Sequence, residues 1–412
     1  MGRVRHPAVA PEASPPPTAE KAERGGPAAL GRTIWRRDFW FLLGMVWLVV
    51  VSAIALTAGG NALTSSHTGS GTNVGAAATS TPAAPQPTAT AAPTGPVSVL
   101  PARERVYNLP PPAPGLMQPA VDQQGNVWFG EMNTNLLGRL DPATGAVTTW
   151  KPPNGKYGIM QTAVDARGDV WFTEQNANYI GRFDPARQTF RTYPLAQVDG
   201  HTSGPQDLAF DSSGKLWFTE VSAGRIGRLD PATGALGAWD VPAPAPGARA
   251  YPYSLAAGTD GTVWFGYLAN GAIGRFDPVS QQFTLYHAAN AQAQLFAMAL
   301  DASGKLWFTE LEQDAIGVLD THTGRVEEIP VPSALGTPGG LYAITVTRNG
   351  DVWFACSSAN ALVRYQPASH GFTFFQLSTP ASIPYGLAQD GAGRLWFTAD
   401  ATAQNYVGMM QP

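Results

Sequence analysis

The chain has 412 residues, a formal net charge of −4 and a charged fraction of only 14%. The negative charge gives no electrostatic footprint for nucleic acid, so we expect no nucleic-acid partner. The single cysteine, Cys356, excludes a disulfide framework and a zinc site built from several cysteines. Glycine (45 residues) and proline (36 residues) are abundant, which argues against a helical bundle or a coiled coil.

The N-terminal part of the chain predicts a membrane anchor. Residues 39–58 are almost uninterruptedly apolar, and a helix of this length, at about 1.5 Å per residue, covers the hydrocarbon core of about 30 Å. A cleaved signal peptide is the alternative, but the long preceding segment and the length of the apolar run favour a retained transmembrane helix. Seven basic against four acidic residues in 1–38 predict a disordered cytoplasmic tail, with the rest of the protein outside the cell membrane.

Residues 59–102 consist mainly of Ala, Thr, Pro, Gly and Ser and contain no charged residue. Such a segment cannot bury enough apolar surface to offset the entropy lost on ordering, so we expect a flexible stalk. The same composition occurs in O-glycosylated stalks, and whether sugars are attached stays open.

A repeated unit occupies residues 103–412. The pair Trp-Phe recurs seven times at spacings of 43 to 47 residues, beginning at Trp128, Trp171, Trp217, Trp264, Trp307, Trp353 and Trp396. In each unit a Gly-containing turn separates an apolar strand from the Trp-Phe strand, and two further strands follow. Four antiparallel strands repeated seven times predict an all-β fold, a seven-bladed β-propeller.

The two ends of the repeat region predict how the ring closes. The seventh unit stops after its third strand, at residues 406–410, whereas residues 105–110 have the pattern of a fourth strand. We therefore expect the N-terminal strand to complete the last blade, which leaves no unpaired edge there. An open solenoid is the alternative, and it would need capping repeats that the sequence lacks.

Positions at which the seven copies differ are the candidates for function, because identical positions are expected to pack between blades. The third residue after each Trp is glutamate in four units: Glu131, Glu174, Glu220 and Glu310. Four glutamates on a ring would suit a cation or an amine, and a base among them would need a raised pKa. A solvated strand end is the alternative.

A second variable position lies eleven residues before each Trp. It reads Met117, Met160, Gln206, Tyr253, Phe296, Tyr342 and Tyr385. An arc of four aromatic residues beside Gln206 would suit a flat amphipathic ligand at the channel mouth, such as a glycan, a peptide or a small cyclic peptide. Packing of the inner strands is an equally good explanation.

The motif Trp-Phe-Thr-Glu at 171–174, 217–220 and 307–310, followed after the first two copies by Ile-Gly-Arg and Asp-Pro, resembles the virginiamycin B lyase (streptogramin lyase) family. The resemblance implies a seven-bladed propeller that linearises a cyclic depsipeptide by elimination, with Mg²⁺ near the channel. It also implies a His that removes a proton beside the ester carbonyl, while metal and Glu stabilise the developing charge. By the same resemblance, Glu220 and Glu310 are candidate catalytic residues, and Glu131 and Glu174 are candidate metal ligands.

The family's His and Glu lie fourteen residues apart, eleven before and three after a Trp. In this chain the first position is never His. Only His201, in the loop that leads into the third unit, is placed to replace it by approaching Glu220. Two hypotheses therefore remain: a membrane-anchored binding or interaction module, which the missing His favours, and a Mg²⁺-dependent lyase.

Overall fold

A computed structural model describes residues 88–89, 95–110, 115–153, 158–336, 339–400 and 404–412. The predicted tail and the predicted transmembrane helix at 39–58 lie outside these residues. Within the described residues, no helix has the length and apolar character needed to cross a membrane.

The described residues form 30 β-strands, arranged as seven blades. The first three strands are β1 (Thr88–Ala89), β2 (Val97–Pro101) and β3 (Glu104–Asn108). Blade 1 contains β4 (Ala120–Val121), β5 (Val127–Glu131), β6 (Leu136–Leu140) and β7 (Val147–Trp150). Blade 2 contains β8 (Ile159–Val164), β9 (Val170–Glu174), β10 (Tyr179–Asp184) and β11 (Thr189–Pro194). Blade 3 contains β12 (Pro205–Phe210), β13 (Leu216–Glu220), β14 (Arg225–Leu229) and β15 (Leu236–Asp240).

The remaining blades follow the same plan. Blade 4 contains β16 (Pro252–Ala257), β17 (Val263–Tyr267), β18 (Ala272–Asp277) and β19 (Gln282–His287). Blade 5 contains β20 (Leu295–Leu300), β21 (Lys305–Glu310), β22 (Ala315–Asp320) and β23 (Val326–Pro330). Blade 6 contains β24 (Leu341–Val346), β25 (Val352–Cys356), β26 (Ala361–Gln366) and β27 (Gly371–Gln376). Blade 7 contains β28 (Pro384–Gln389), β29 (Leu395–Ala399), β30 (Tyr406–Met410) and β3. The predicted seven-bladed propeller of four-stranded antiparallel blades is confirmed.

The predicted closure of the last blade is confirmed as well. Strand β3 pairs antiparallel with β30, with Tyr107 opposite Val407. Tyr107 and Leu109 are buried in one apolar cluster with Trp396 of blade 7 and Phe129 of blade 1. The N-terminal strand therefore supplies backbone hydrogen bonds to β30 and core side chains at the junction of the first and last blades.

Two further strands lie within the segment that we expected to be a flexible stalk. Strand β2 pairs parallel with β27, the outer strand of blade 6, and β1 pairs parallel with β23 of blade 5. The amide of Ala102 donates to the carbonyl of Gln376 at 2.7 Å and continues the contact. The difference from the expectation arises because the outer edge of a blade offers free backbone groups, which a strand of any composition can satisfy.

The seven Trp-Phe pairs form what we call the packing layer. Each Trp is at most 3% exposed, and most pack against the next blade, as Trp171 does against Leu208 and Phe218 of blade 3. In five blades the indole N–H donates to the Asp six residues earlier, at 2.8 to 3.0 Å. The predicted packing role of the repeated Trp-Phe is therefore confirmed.

The Gly of the Ile-Gly-Arg motif has a steric cause in the packing layer. The Phe ring of the Trp-Phe pair lies across the next strand, so that a Cβ at Gly227 would come within 2.2 Å of the Phe218 ring. The following arginine lies over the Trp of its own blade, as Arg228 does over Trp217 with 5.4 Å between guanidinium carbon and ring centroid. Both residues of this motif are therefore explained by packing.

Candidate functional site

A β-bulge near the start of most innermost strands turns two consecutive residues toward the central channel. In β12 the register with β13 shifts between Pro205 and Leu208. The amide freed at Asp207 donates to Thr219 Oγ1 at 3.0 Å, and that hydroxyl donates to the carbonyl of Tyr253 in the next blade at 2.9 Å. The Thr of the Trp-Phe-Thr-Glu motif thus stabilises the bulge and joins adjacent blades.

The side chains eleven residues before each Trp form what we call the channel ring. Its members are Met117, Met160, Gln206, Tyr253, Phe296, Tyr342 and Tyr385. The four aromatic members contact one another: Phe296 lies 5.0 Å from Tyr253, 5.2 Å from Tyr342 and 5.7 Å from Tyr385 between ring centroids. Met117 and Met160 pack together on the other side, with Tyr385 against them. The ring is therefore a packed layer across the channel, as the packing explanation expects, and ligand binding by these residues stays a prediction.

A cavity of about 200 Å³ lies in the channel and is lined in part by members of this ring. Its wall includes Tyr253, Phe296 and Tyr385 from the channel ring, together with Gln161 and Asp207, which lie one residue further along their strands. The cavity therefore has an aromatic side and a polar side.

Asp207 is the charged group of the cavity wall. Its two carboxylate oxygens accept the amides of Leu208 at 2.7 Å and of Leu255 in blade 4 at 2.8 Å. Burial raises the pKa of Asp207 to about 7, although these two bonds oppose the rise. Burial raises the pKa of the Tyr253 phenol, and the negative charge of Asp207 raises it further. Tyr253 therefore stays protonated.

The acidic position, three residues after each Trp, is buried in all four blades that carry glutamate: none of the four is more than 6% exposed. The solvated strand end that we considered for this position is therefore wrong. Thr134 donates to the Glu131 carboxylate at 2.6 Å, and Arg225 forms an ion pair with Glu220 at 2.5 Å. Glu220 is thus already neutralised by a neighbour on the next strand.

Glu310 differs from Glu220 at the same position. Neither of its carboxylate oxygens has a hydrogen-bond partner among the described residues, and the side chain is 1% exposed. Burial raises the pKa of Glu310 to about 8, with a smaller contribution from the nearby charge of Glu328. The neutral acid is therefore the favoured form of Glu310 near neutral pH.

His201 lies on an exposed turn before blade 3. Its amide and carbonyl exchange hydrogen bonds with Val198, at 2.9 and 3.1 Å. The loop is held by Asn178, whose Oδ1 accepts the amide of Ser203 at 2.8 Å. Among the described residues, no hydrogen bond or ion pair joins His201 to Glu220, so the pairing that we predicted for a base is not formed.

The acidic side chains do not assemble a metal centre in the described part of the chain. No group of three or more His, Cys, Asp or Glu side chains there is arranged to hold a metal ion. Glu131 is bound to Thr134 within its own blade, and Glu174 lies buried in the next blade. The described residues therefore do not fit the Mg²⁺ that the resemblance implied, and we route no step of a mechanism through it.

Sequence reasoning missed Asp207 and Gln118, which lie ten residues before a Trp. The Gln118 amide bridges blade 1 to blade 7, donating to the Leu387 carbonyl at 2.6 Å and accepting its amide at 3.1 Å. The signal was present, because the seven copies differ at this position too: Gln118, Gln161, Asp207, Ser254, Ala297, Ala343 and Gly386. A regular strand alternates its side chains, so only the bulge explains why two consecutive positions face the channel.

Comparisons with known proteins agree with the seven-bladed propeller fold. The model of the virginiamycin B lyase family matches residues 89–341 and 192–412, two overlapping ranges that cover the whole propeller. No curated protein sequence matches the chain. A streptogramin B lyase structure is 28% identical with a TM-score of 0.65, covering 74% of this chain and 96% of that one.

Two further structures extend the comparison. A catalytically inactive histidine-to-alanine variant of virginiamycin B lyase from Staphylococcus aureus, solved with quinupristin, is 25% identical with a TM-score of 0.67 and covers 75% of this chain and 99% of that one. A chain of the mitotic checkpoint complex is 17% identical with a TM-score of 0.59, covering 82% of this chain and 98% of that one, and shows the fold alone.

Proposed function

We propose that this chain, which belongs to the virginiamycin B lyase family, is a membrane-anchored binding module and not a lyase. Its propeller lies outside the cell membrane and binds a small ligand at the central channel. The observation that carries this proposal is the channel ring itself, in which Met, Gln, Tyr and Phe occupy the seven positions and His occupies none.

The missing His matters because elimination begins with the removal of a carbon-bound proton, which needs a positioned base. The Staphylococcus aureus enzyme with His replaced by Ala is described as catalytically inactive. His201 does not take over the role through Glu220, since Glu220 is paired with Arg225. The family's base is thus absent where its motif would put it.

The size of the cavity supports a small ligand. Sites for drug-sized ligands measure about 300–1,000 Å³, whereas the channel cavity measures about 200 Å³. A cyclic depsipeptide would have to lie on the face of the propeller, above the packed aromatic rings. A glycan or peptide end is compatible with the channel, provided that only a small group enters it.

Membrane anchoring rests on the sequence of residues 39–58 and on the basic residues before it. Strands β1 and β2 then hold the following segment against blades 5 and 6. We propose that this attachment keeps the propeller near the membrane. Resistance of the full-length chain to extraction from membranes at alkaline pH tests the anchor.

A lyase is the second candidate, because Asp207 offers an alternative base. Its pKa of about 7 suits general-base catalysis near neutral pH, and its carboxylate lies in the channel wall. In such a reaction Asp207 would accept a proton from the carbon next to the one that carries the ester's alkyl oxygen. The electron pair of that C–H bond forms a C=C double bond, the alkyl C–O bond breaks and the carboxylate leaves, so that the linear product keeps the mass of the ring.

The two candidates are separated by incubating the full-length chain with quinupristin and Mg²⁺ and following the reaction by liquid chromatography with tandem mass spectrometry. Elimination gives a linear isomer of unchanged mass and altered retention, whereas hydrolysis adds one water. The Staphylococcus aureus enzyme serves as the positive control. We expect quinupristin to be recovered intact.

A linear isomer that forms with the wild-type chain and disappears with Asp207→Asn would establish the lyase and overturn the binding-only function. Asp260→Asn is the matched control, because it changes an aspartate of blade 4 that lies outside the cavity wall and is hydrogen-bonded to Thr262. The linear isomer would still form with this variant.

A further inference from the structure

We propose that the channel cavity binds an organic monocation, such as a substituted ammonium group, between the carboxylate of Asp207 and the rings of Tyr253, Phe296 and Tyr385. This inference rests on the proposed binding function and names the class of ligand that the same site would take.

The first support is the charge of the cavity wall. Asp207 is its one charged residue among the described residues that line it, and no Lys, Arg or His faces it there. Each carboxylate oxygen accepts a single backbone amide, whereas an ionised carboxylate offers about four acceptor sites. The carboxylate is therefore held in position and keeps acceptor capacity for a cation.

The second support is the aromatic side of the cavity. Tyr253, Phe296 and Tyr385 all line it, and their rings are tilted against one another, by 42° between Tyr253 and Phe296 and by 90° between Phe296 and Tyr385. Differently oriented rings present both faces and edges to one space. A cation over an aromatic face is stabilised by the ring quadrupole, by about 0.5–2 kcal/mol for each contact.

The size of the cavity selects the ligand further. A buried apolar cavity of about 150 Å³ in another protein is large enough for benzene, and this one measures about 200 Å³. A trimethylammonium group with a short substituent is of that order, whereas a whole sugar or peptide is larger. The cavity therefore fits the head of a small molecule.

The polar atoms of the wall argue against a metal ion. The Gln118 amide is engaged by the backbone of Leu387, and Gln206 Oε1 accepts a hydrogen bond from Gln175 at 2.7 Å. Ca²⁺ takes six to eight oxygen ligands, and Mg²⁺ keeps several waters around one or two carboxylates, so both ions prefer a polar wall. A substituted ammonium ion is weakly hydrated and accepts aromatic walls. The chemistry of this wall thus favours the organic cation.

The test is calorimetric titration of the full-length chain, in a maltoside detergent at pH 8, with choline and with its neutral carbon isostere 3,3-dimethylbutan-1-ol. We expect choline to bind at least tenfold more tightly than the isostere. Asp207→Asn should weaken choline binding at least tenfold without changing the affinity for the isostere. Phe296→Leu, which keeps an apolar side chain, should weaken choline binding several-fold.

Asp260→Asn is the matched control, because Asp260 lies in a turn of blade 4 where its carboxylate accepts the amide and hydroxyl of Thr262. Equal affinity for choline and its isostere, or no binding of either choline or tetramethylammonium at millimolar concentration, would overturn the inference. The proposed function would survive that result and would fail separately if quinupristin were linearised.

The same titration distinguishes the source of the cation. Competition by phosphatidylcholine, added in mixed micelles with the same maltoside, would assign the ammonium group to a lipid headgroup, and absence of competition would assign it to a free small molecule. Both results support the site, since in each case choline binding must depend on Asp207.

Discussion

The packing layer and the channel ring are built from neighbouring strands of the same seven blades, yet they follow opposite rules. In the packing layer the same Trp-Phe pair occurs in every blade, and its contacts recur from blade to blade. In the channel ring the seven positions carry four residue types, which form a methionine pair on one side and an aromatic cluster on the other. Repetition in this molecule therefore marks packing, and variation marks the place where a ligand can be recognised.

The acidic position lies between these two regions and shares features of both. Its side chains are buried like the packing layer, but their partners differ from blade to blade: a threonine for Glu131, an arginine for Glu220 and none among the described residues for Glu310. Position in the repeat thus determines the burial of these side chains, while the residues of the following turn and strand determine which partner each carboxyl has.

The largest expected effect on stability comes from removing β3, the strand that closes the last blade. A chain beginning at residue 110 lacks β3 and with it the buried side chains of Tyr107 and Leu109. At about 1.5–3 kcal/mol for each buried large apolar side chain, the loss of these two should lower the free energy of unfolding by about 3–6 kcal/mol. Thermal unfolding followed by circular dichroism measures it.

A chain beginning at residue 102 is the matched control for the closure. It loses β1 and β2 but keeps β3, and in β2 the side chains of Val97, Val99 and Leu100 are 42 to 46% exposed. We expect it to unfold nearly as the full propeller does. Equal melting of the two truncated chains would contradict the role assigned to β3.

The next effect compares two glutamates at the same position in different blades. Glu220→Gln removes the partner of Arg225 and should destabilise the protein by about 1–3 kcal/mol. Glu310→Gln removes a buried carboxyl that has no partner in the described residues, and it should stabilise the protein by about 1–3 kcal/mol at pH 8. Denaturant unfolding of both variants measures the change in the free energy of unfolding, which should be a loss for Glu220→Gln and a gain for Glu310→Gln.

The stabilisation by Glu310→Gln should depend on pH. Because the folded-state pKa of Glu310, about 8, lies above its ordinary value, the folded protein binds more protons than the unfolded one, and its stability falls as pH rises toward 8. The gain from Gln should therefore be greatest at and above pH 8 and nearly absent at pH 5. An equal gain in stability at both pH values would show that the pKa of Glu310 is not raised in the folded protein.

A smaller effect is expected within the packing layer itself. The indole of Trp171 donates to Asp165 at 3.0 Å, whereas the indole N–H of Trp353 has no partner among the described residues. Trp171→Phe should therefore cost about 1–3 kcal/mol more than Trp353→Phe, because only the first leaves a carboxylate without its donor. Equal costs, measured by denaturant unfolding, would show that the indole bond contributes nothing.

Much of the fold was predictable, because its signals are repeated. Seven Trp-Phe pairs at similar spacings predict seven blades, and the missing fourth strand of the last unit predicts the closure by β3. The strands β1 and β2 were not predictable from composition, since a Pro-, Thr- and Ala-rich segment indicates a stalk. They form because the outer edges of blades 5 and 6 offer free backbone groups.

The candidate site was predictable only in part. The channel ring could be found as a variable position, and its aromatic members do lie together. Asp207 was missed although its position varies among the seven copies, because period-two alternation would turn it away from the channel, and only the bulge in β12 brings it to the wall. The ion pair of Glu220 was equally hidden, since Arg225 precedes the repeated Ile-Gly-Arg motif and differs among the blades.

The most direct test of the channel as a binding site for a cation is the dissociation constant of choline at pH 5.5 and at pH 8.5. With the pKa of Asp207 at about 7, its ionised fraction rises from about 3% to about 97% between these values. Tyr253 beside it stays protonated throughout, because burial and the Asp207 charge raise its pKa. Across the ring, Asp400 has a pKa of about 6 and raises those of Tyr342 and Tyr385, so Asp400→Asn serves as the control.

We predict that choline binds at least about tenfold more tightly at pH 8.5 than at pH 5.5, and that this difference disappears in Asp207→Asn but persists in Asp400→Asn. An affinity that is the same at both pH values, or a difference that survives in Asp207→Asn, would contradict the assignment of the channel to a cation held by Asp207.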